Sequence, residues 1–297
     1  MRFWLKKAQS LCLWFKMTIK TFAPAKVNLS LHVTGMTANG YHQLDSMVVM
    51  VDVGDHITVQ EADDLTLTVS GPFAEGVPSD GSNLVMRAAR MLSDTRGAQI
   101  TLEKNLPPAS GIGGGSSDAA ATIRALSRLW DIPMPSVRDL SVLGADIPVC
   151  MSPFLTRMQG IGDKLDPICA PPDYSILLVN PRVEVSTPDV FNALASKQNS
   201  PMSVMPDLMG AHWLDWLRDQ RNDLQAPAIE LEPVIADVLT CLEADEGTLL
   251  ARMSGSGATC FAIMKDADDA TRLAHDIQSK HPNWWVAKGH TCFQSFI

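Results

Sequence analysis

The stretch NLPPASGIGGGSSDAAATIRALSRLW, residues 105–130, decides how the rest of the chain is read. Gly111, Gly113, Gly114 and Gly115 precede Ser116-Ser117, and Ala119, Ile123, Leu126 and Trp130 then recur at helical spacing. Three consecutive glycines are costly in chain entropy unless the backbone must take a positive φ or come close to something. The spacing predicts a helix that opens at the glycine cluster and ends within Asp131 to Pro135. Ser116 or Ser117 is the expected cap, and Asp118 suits the positive end of the dipole. Free N–H groups at such a helix start, together with the dipole, form an anion site. The plain alternative is a tight turn that only packs the helix. No G-K-[ST] occurs, so this is not a Walker loop, and Ser116 stands three after Gly113, which breaks the dinucleotide fingerprint. H-R-D and D-F-G signatures are absent as well.

Upstream, Val27, Leu29, Leu31 and Val33 alternate with Asn28, Ser30, His32 and Thr34, which predicts a half-buried strand within 18–35, ended by Gly35. Asn39-Gly40 breaks the chain before a second strand over 46–60. Residues 57–60 and 65–69 suggest a hairpin around Asp63-Asp64, followed by a helix over Asn83–Leu92 and a strand over 98–103. Downstream, a second unit is expected to begin near residue 154. It would contain a buried strand at Tyr174–Asn180, a helix opened by Thr187-Pro188 and a mainly helical region over 206–244. The glycine turn MSGSGATCFAIM then leads into a strand, 267–279 is helical and Trp284–Phe293 closes the chain as a strand. Strands and helices are mixed without regular alternation, which favours α+β over a doubly wound sheet. The expected organisation is an extension at 1–17, a first domain at 18–153 and a second at 154–297.

The chain has 297 residues and a net charge of −9, without a Lys/Arg run of the kind that displaces counterions from nucleic acid. That disfavours a polyanion but leaves room for one local pocket for a nucleotide's phosphates. The six cysteines form no C-x-x-C, so a reducing cytoplasm fits best. The seven histidines show no H-E-x-x-H spacing. No apolar run approaches the ~18–20 residues that cross a bilayer, so no membrane partner is expected. The N-terminus MRFWLKKAQSLCLWFKM faintly resembles a signal peptide through Lys6, Lys7 and Leu11–Phe15, but no small-residue cleavage site follows.

Single residues leave more than one reading. Lys26 after Pro24-Ala25 is either a solvated strand-end lysine or a functional cation held at an apolar strand. Asp146, among Gly144-Ala145 and Ile147-Pro148, either caps a turn or serves chemistry. Ser116 and Ser117 either cap a helix or contact phosphate or Mg²⁺. Lys104 and Asn105 border the glycine loop as ATP contacts or as ordinary surface. Phe191 alone reads as core, and Thr187-Pro188 as a helix start.

Four ordered blocks, APAKVNLSLHV, PPASGIGGGSSDAAA, LGADIPV and RMSGSGATCF, resemble those of the GHMP small-molecule kinases across roughly residues 20–293. The resemblance implies an S5-like N-terminal domain, a ferredoxin-like C-terminal domain and an active site in the cleft between them. It implies ATP on Lys104 and on Pro108, Ala109, Ser110, Gly111, Ile112, Gly113, Gly114, Gly115, Ser116 and Ser117, with Mg²⁺ near Ser116. Lys26 and Asp146 become the catalytic pair: Asp146 takes or orients the proton of a substrate hydroxyl, and Lys26 supplies the counter-charge. Within the family, NGYH beside the first block is similar to members that act on a CDP-linked alcohol. Tyr41 and Phe191 would then sandwich the cytosine, His42 would bond its edge, and Asn28 and Thr187 would contact the substrate. The alternative is another GHMP kinase with a different alcohol. A monomer or homodimer is expected. The departures are mild: Ile112 after Gly111, Asp163 for a more usual glutamate, Gln43 after Tyr41-His42, and Gln225 after Leu224.

Overall fold

The protein is described here from a computed structural model, which covers residues 17–168, 173–206 and 212–292. Residues 1–16 of the expected N-terminal extension, Cys12 among them, Cys169, the 207–211 portion of the helical region and the strand end at Phe293 lie outside the described residues.

Two long antiparallel strands, β1 (Thr18–Met36) and β2 (His42–Ala62), form the spine, paired from Thr18↔Gln60 to Met36↔His42. Gly40 turns between them with φ +87°. Period-2 alternation correctly identifies the strand but not its surroundings. Asn28, Ser30 and His32 are 0%, 0% and 1% exposed, so from Asn28 to His32 the polar face of β1 is buried as completely as its apolar face. Segments from the second half cover it. Ser254 Oγ accepts from the Asn28 N–H, Ser30 Oγ lies 2.9 Å from Met202 Sδ, and His32 Nδ1 meets the Ser200 carbonyl at 3.1 Å. Buried polar groups persist where they find such partners.

The expected hairpin around Asp63-Asp64 does not form. β3 (Leu65–Ser70) instead lies parallel to β4 (Gly97–Glu103), and β4 occupies the edge of β2. Between them runs α1 (Leu84–Leu92), capped by Asn83, whose side chain accepts from the Val85 N–H. A parallel neighbour requires such a crossover, and α1 supplies it.

α2 (Gly114–Trp130) starts at the glycine cluster, as its spacing predicts, but no serine caps it. Gly113, at φ 64°, is the cap residue, and Ser116 and Ser117 lie within the helix. Asp118 lies too far inside for the helix end and is buried against Lys104. α3 (Val137–Leu143) and α4 (Ile147–Cys150) follow. β5 (Leu155–Gly160) then pairs with β2 and with β6 (Lys164–Ile168), so residues 155–168 hydrogen-bond into the sheet of the first half.

The second half contains β7 (Ser175–Asn180), α5 (Thr187–Asn192), α6 (Trp213–Arg218), α7 (Gln225–Leu231), α8 (Val234–Glu243), β8 (Thr248–Met253), β9 (Cys260–Met264), α9 (Ala267–Lys280) and β10 (Trp285–Cys292). Its core forms where Leu177 and Val179 of β7 and Cys260 and Ala262 of β9 meet Ile235, Val238 and Leu242 of α8. β10 pairs with β7 along most of its length and with β2 at Thr291↔Val51 and Cys292↔Met50, joining everything into one ten-stranded sheet. Antiparallel pairing dominates, with helices set against the sheet: the architecture is α+β. Among the described residues no helix is long and apolar enough to cross a membrane.

Candidate active site

A cleft of ≈ 480 Å³ lies between the glycine loop, β1, α4 and the glycine turn after β8. Lys26 enters it from β1. Its backbone N–H donates to the Ile112 carbonyl at 2.9 Å, so strand and loop are fixed to each other. Its side chain is 5% exposed, and Nζ donates to Asn28 Oδ1 at 2.8 Å and Asp146 Oδ2 at 2.9 Å. Asn28 is aimed in turn by Ser46, whose Oγ accepts from Nδ2 at 2.7 Å and donates to the Ser30 carbonyl. Asp146 precedes α4 and caps no N–H of that helix with its side chain. Its carboxylate is 36% exposed, reachable from the cleft and backed by an ammonium. A carboxylate so placed can accept a proton from, or aim, a hydroxyl that enters the cleft.

The glycine loop forms the opposite wall. Gly111 and Gly113 have φ of 76° and 64°, and Ala109 at 47° is also left-handed. A Cβ on Gly111 would sit 2.4 Å from the Ser254 carbonyl oxygen, so glycine is required there by contact as well as by φ. Gly114, Gly115 and Ser116 at the start of α2 line the cleft, and the first N–H groups of a helix have no carbonyl within it to receive them, which suits an anion.

The cleft therefore brings together Lys26, Asn28, Asp146, Ala109, Ser110, Gly111, Gly113, Gly114, Gly115, Ser116, Thr187 and Phe191. Six other expected residues do not line it. Ile112 is core, Ser117 is 0% exposed inside α2, and Pro108 faces a neighbouring cavity of ≈ 300 Å³ that also holds Phe73 and Arg182. Lys104 is neither a surface lysine nor a group pointing into the cleft. It is buried, with Nζ 2.5 Å from Asp55 Oδ2 and 2.9 Å from Asp118 Oδ2. Tyr41 is 60% exposed at the β1–β2 turn. His42 stacks directly on Phe191, with ring centroids 4.4 Å apart and planes at 21°, and its Nε2 is buried without a partner. Burial lowers the His42 pKa below its usual 6.5, with Lys197 adding to the effect.

Sequence reading assigned no role to Ser254, Gly255 and Ser256, although their block was legible. Ser254 Oγ donates to the Gly111 carbonyl at 3.0 Å while accepting from Asn28 N–H, so one hydroxyl ties β1 and the glycine loop to the second half. Gly255 (φ 57°) nests against Gly111, and Ser256 Oγ lies 2.7 Å from Thr187 Oγ1 at the cleft. Two glycine-bearing turns far apart in sequence were the available clue, since close mutual approach of two backbones is what such pairs permit.

Comparison with known proteins places this arrangement. The profile described as GHMP kinases N terminal domain matches residues 83–152, and that described as GHMP kinases C terminal matches residues 204–283. A chain matched in both halves is built as a GHMP kinase. A protein of Ruegeria pomeroyi named 4-diphosphocytidyl-2-C-methyl-D-erythritol kinase is 54% identical over 281 residues, spanning 92% of this chain and 99% of its own. One of the same name from Cereibacter sphaeroides is 50% identical, spanning 90% and 97%. A crystal structure titled 4-(cytidine 5'-diphospho)-2C-methyl-D-erythritol kinase superposes with a TM-score of 0.78 at 29% identity, covering 92% of this chain and 99% of that one. The chain belongs to the 4-diphosphocytidyl-2-C-methyl-D-erythritol kinase family of GHMP kinases.

Proposed function

We propose that this chain transfers the γ-phosphoryl group of ATP to the 2-hydroxyl of 4-diphosphocytidyl-2-C-methyl-D-erythritol, in the non-mevalonate route to isoprenoid precursors. The observation that carries the reading is the Lys26–Asp146 pair, 2.9 Å apart, facing the glycine loop across one cleft. The loop and the first turn of α2 cradle the ATP phosphates. Asp146 receives or orients the hydroxyl, and Lys26 places positive charge beside both the carboxylate and the migrating phosphoryl group. Phosphoryl transfer asks chiefly for positioning and charge stabilisation, and this cleft offers both.

The donors also fit Mg²⁺. Among the described residues no group of three or more His, Cys, Asp and Glu could hold a metal, and magnesium typically needs only one or two protein ligands beside phosphate oxygens and waters. Ser116 at the cleft would offer it a hydroxyl oxygen, with phosphate oxygens and waters completing its shell. When bound, the ion neutralises charge on the β- and γ-phosphates. Phe191, Thr187 and Asn28 mark the side for the CDP-alcohol. Cys150, whose thiol burial pushes up to about 12, is an inert core group, in keeping with the cytoplasmic location we propose.

ADP release by the purified protein against CDP-linked methylerythritol, mevalonate, homoserine and galactose tests the reading. Turnover with the CDP-alcohol at least a hundredfold above the others is expected. Preference for another alcohol would replace the substrate, and absence of any turnover would reject the enzyme.

A further inference from the structure

Beneath the glycine loop, outside the cleft, lies a buried cluster of three ionisable side chains with no role in the chemistry above. Lys104 (4% exposed), Asp55 (0%) and Asp118 (3%) come from the end of β4, from β2 and from the second turn of α2. Lys104 Nζ donates to Asp55 Oδ2 at 2.5 Å and to Asp118 Oδ2 at 2.9 Å. Asp55 Oδ1 accepts from the N–H groups of Asn105 at 2.5 Å and Leu106 at 2.8 Å. The backbone of Lys104 is held too, donating to the Ser70 carbonyl at 2.7 Å and accepting from Phe73 N–H at 3.1 Å.

These contacts have a shape. Asn105 and Leu106 are where the chain enters the phosphate loop, and Asp118 is where it leaves into α2. Asp55 grips the entrance, Lys104 grips Asp55, and Asp118 connects the exit to the same ammonium. The ammonium lies under the helix start, since a Cβ on Gly114 would come within 3.4 Å of Nζ.

We propose that Asp55 and Asp118 are positioning residues for the nucleotide: through Lys104 they set the span between the two ends of the glycine loop, and so the placement of the N–H groups that receive phosphate.

A purely structural ion pair would not need the second acid. One carboxylate already neutralises Lys104, and burying another costs desolvation energy that Asp118 recovers only in part. Its Oδ1 has no hydrogen-bond partner, and burial pushes its pKa to about 8. A group retained at that cost, at the one place where it joins loop exit to loop entrance, is explained by what the loop must hold. The inference rests on the reading of the glycine loop as the ATP phosphate site.

The test uses the full chain and compares ADP binding by calorimetry, kcat, and KM for ATP and for the CDP-alcohol. Asp55→Asn is expected to raise the KM for ATP and the Kd for ADP at least tenfold, while the KM for the CDP-alcohol stays within about twofold. Asp118→Ala should do the same, and Asp118→Asn, which keeps an oxygen for Lys104 Nζ, should recover most of the loss. The double variant Asp55→Asn/Lys104→Met leaves no unpaired ammonium and serves if Asp55→Asn alone does not fold. It too should lose ATP affinity selectively. Unchanged ATP parameters in a folded Asp55→Asn or double variant, or an equal rise for both substrates, would overturn the clamp alone. If the parent itself bound no adenine nucleotide, the phosphate-loop reading would fail first and the clamp with it.

Discussion

Phe191 lies flat on the imidazole of His42, with centroids 4.4 Å apart. The ring expected to cover one face of a cytosine thus rests on the residue expected to bond its edge, while Tyr41 stands in solvent. A base stacking on this face of Phe191 takes the place of the imidazole, trading one stacked pair for another.

Phe191→Ala is therefore expected to weaken the cytidine substrate selectively. Base–aromatic stacking is worth roughly 1–3 kcal/mol, so the KM for the CDP-alcohol should rise about 5- to 150-fold. Tyr41→Ala should follow it in direction, and the KM for ATP should barely move in either. Steady-state kinetics with each substrate varied in turn decides this; equal effects on both substrates would assign Phe191 to the core.

Gly111 and Gly115 should respond in opposite directions. Gly111→Ala meets a left-handed backbone and a carbonyl oxygen at 2.4 Å, so it should lose about 1–3 kcal/mol of stability and most ADP binding. Gly115→Ala meets only Leu84 Cδ1 at 3.6 Å within a helix and should gain about 0.5–1 kcal/mol. Thermal melting of the two variants side by side reads the difference in sign.

At the chemical step, Asp146→Asn keeps size but removes the proton acceptor. The kcat should fall by about 10²–10⁴ with little change in either KM. Lys26→Met should fall similarly, and the double variant should be scarcely worse than the poorer single one if the pair acts as a unit. Asp146→Asn retaining half of the parent kcat would remove Asp146 from the mechanism. A smaller fall without loss of a limb in the pH–rate profile would assign it to orientation, as a loose transition state allows.

Acid sensitivity should come from His32. Its Nε2 accepts from the Arg221 N–H at 3.2 Å, which leaves Nδ1–H to donate to Ser200, and burial lowers its pKa from 6.5. A depressed histidine takes up its proton more readily when unfolded. Its contribution is therefore complete above pH 6.5 and declines as pH falls through the window beneath it. His42 is shifted the same way and adds to the decline. Asp118, raised to about 8 by burial, acts in the opposite direction between pH 8 and pH 5, so the readout is a difference: over that range the urea midpoint of His32→Gln should change less unfavourably than that of the parent. Equal slopes would clear His32 of the effect.

What could be read from sequence follows from the range of each interaction. The glycine loop was legible because a glycine run before a helical pattern has few inexpensive explanations. Lys26 and Asp146 were ambiguous as residues, and only the resemblance paired them across a separation of 120 positions. The buried polar face of β1 was hidden because alternation shows which residues share a side, not what covers that side. The partner of β3 was misread for a similar reason: strand pairing is decided by the crossover through α1, not by the short loop at Asp63-Asp64. The burial of the Lys104 side chain between two carboxylates was not legible because its partners lie 49 and 14 positions away. Ser254 went unnoticed because a serine next to a glycine is the composition of any turn.

The pairing of β10 with both β2 and β7 has a consequence for biosynthesis. The glycine loop, Lys26 and Asp146 all emerge from the ribosome more than a hundred residues before Trp285–Cys292, the last of the described strands. Until that strand arrives, the nascent first half presents an open edge at Met50 and Val51, and the sheet does not yet join β2 to β7. A translating chain thus holds its reactive groups well before the seam that assembles them, and phosphate transfer must wait until that seam closes.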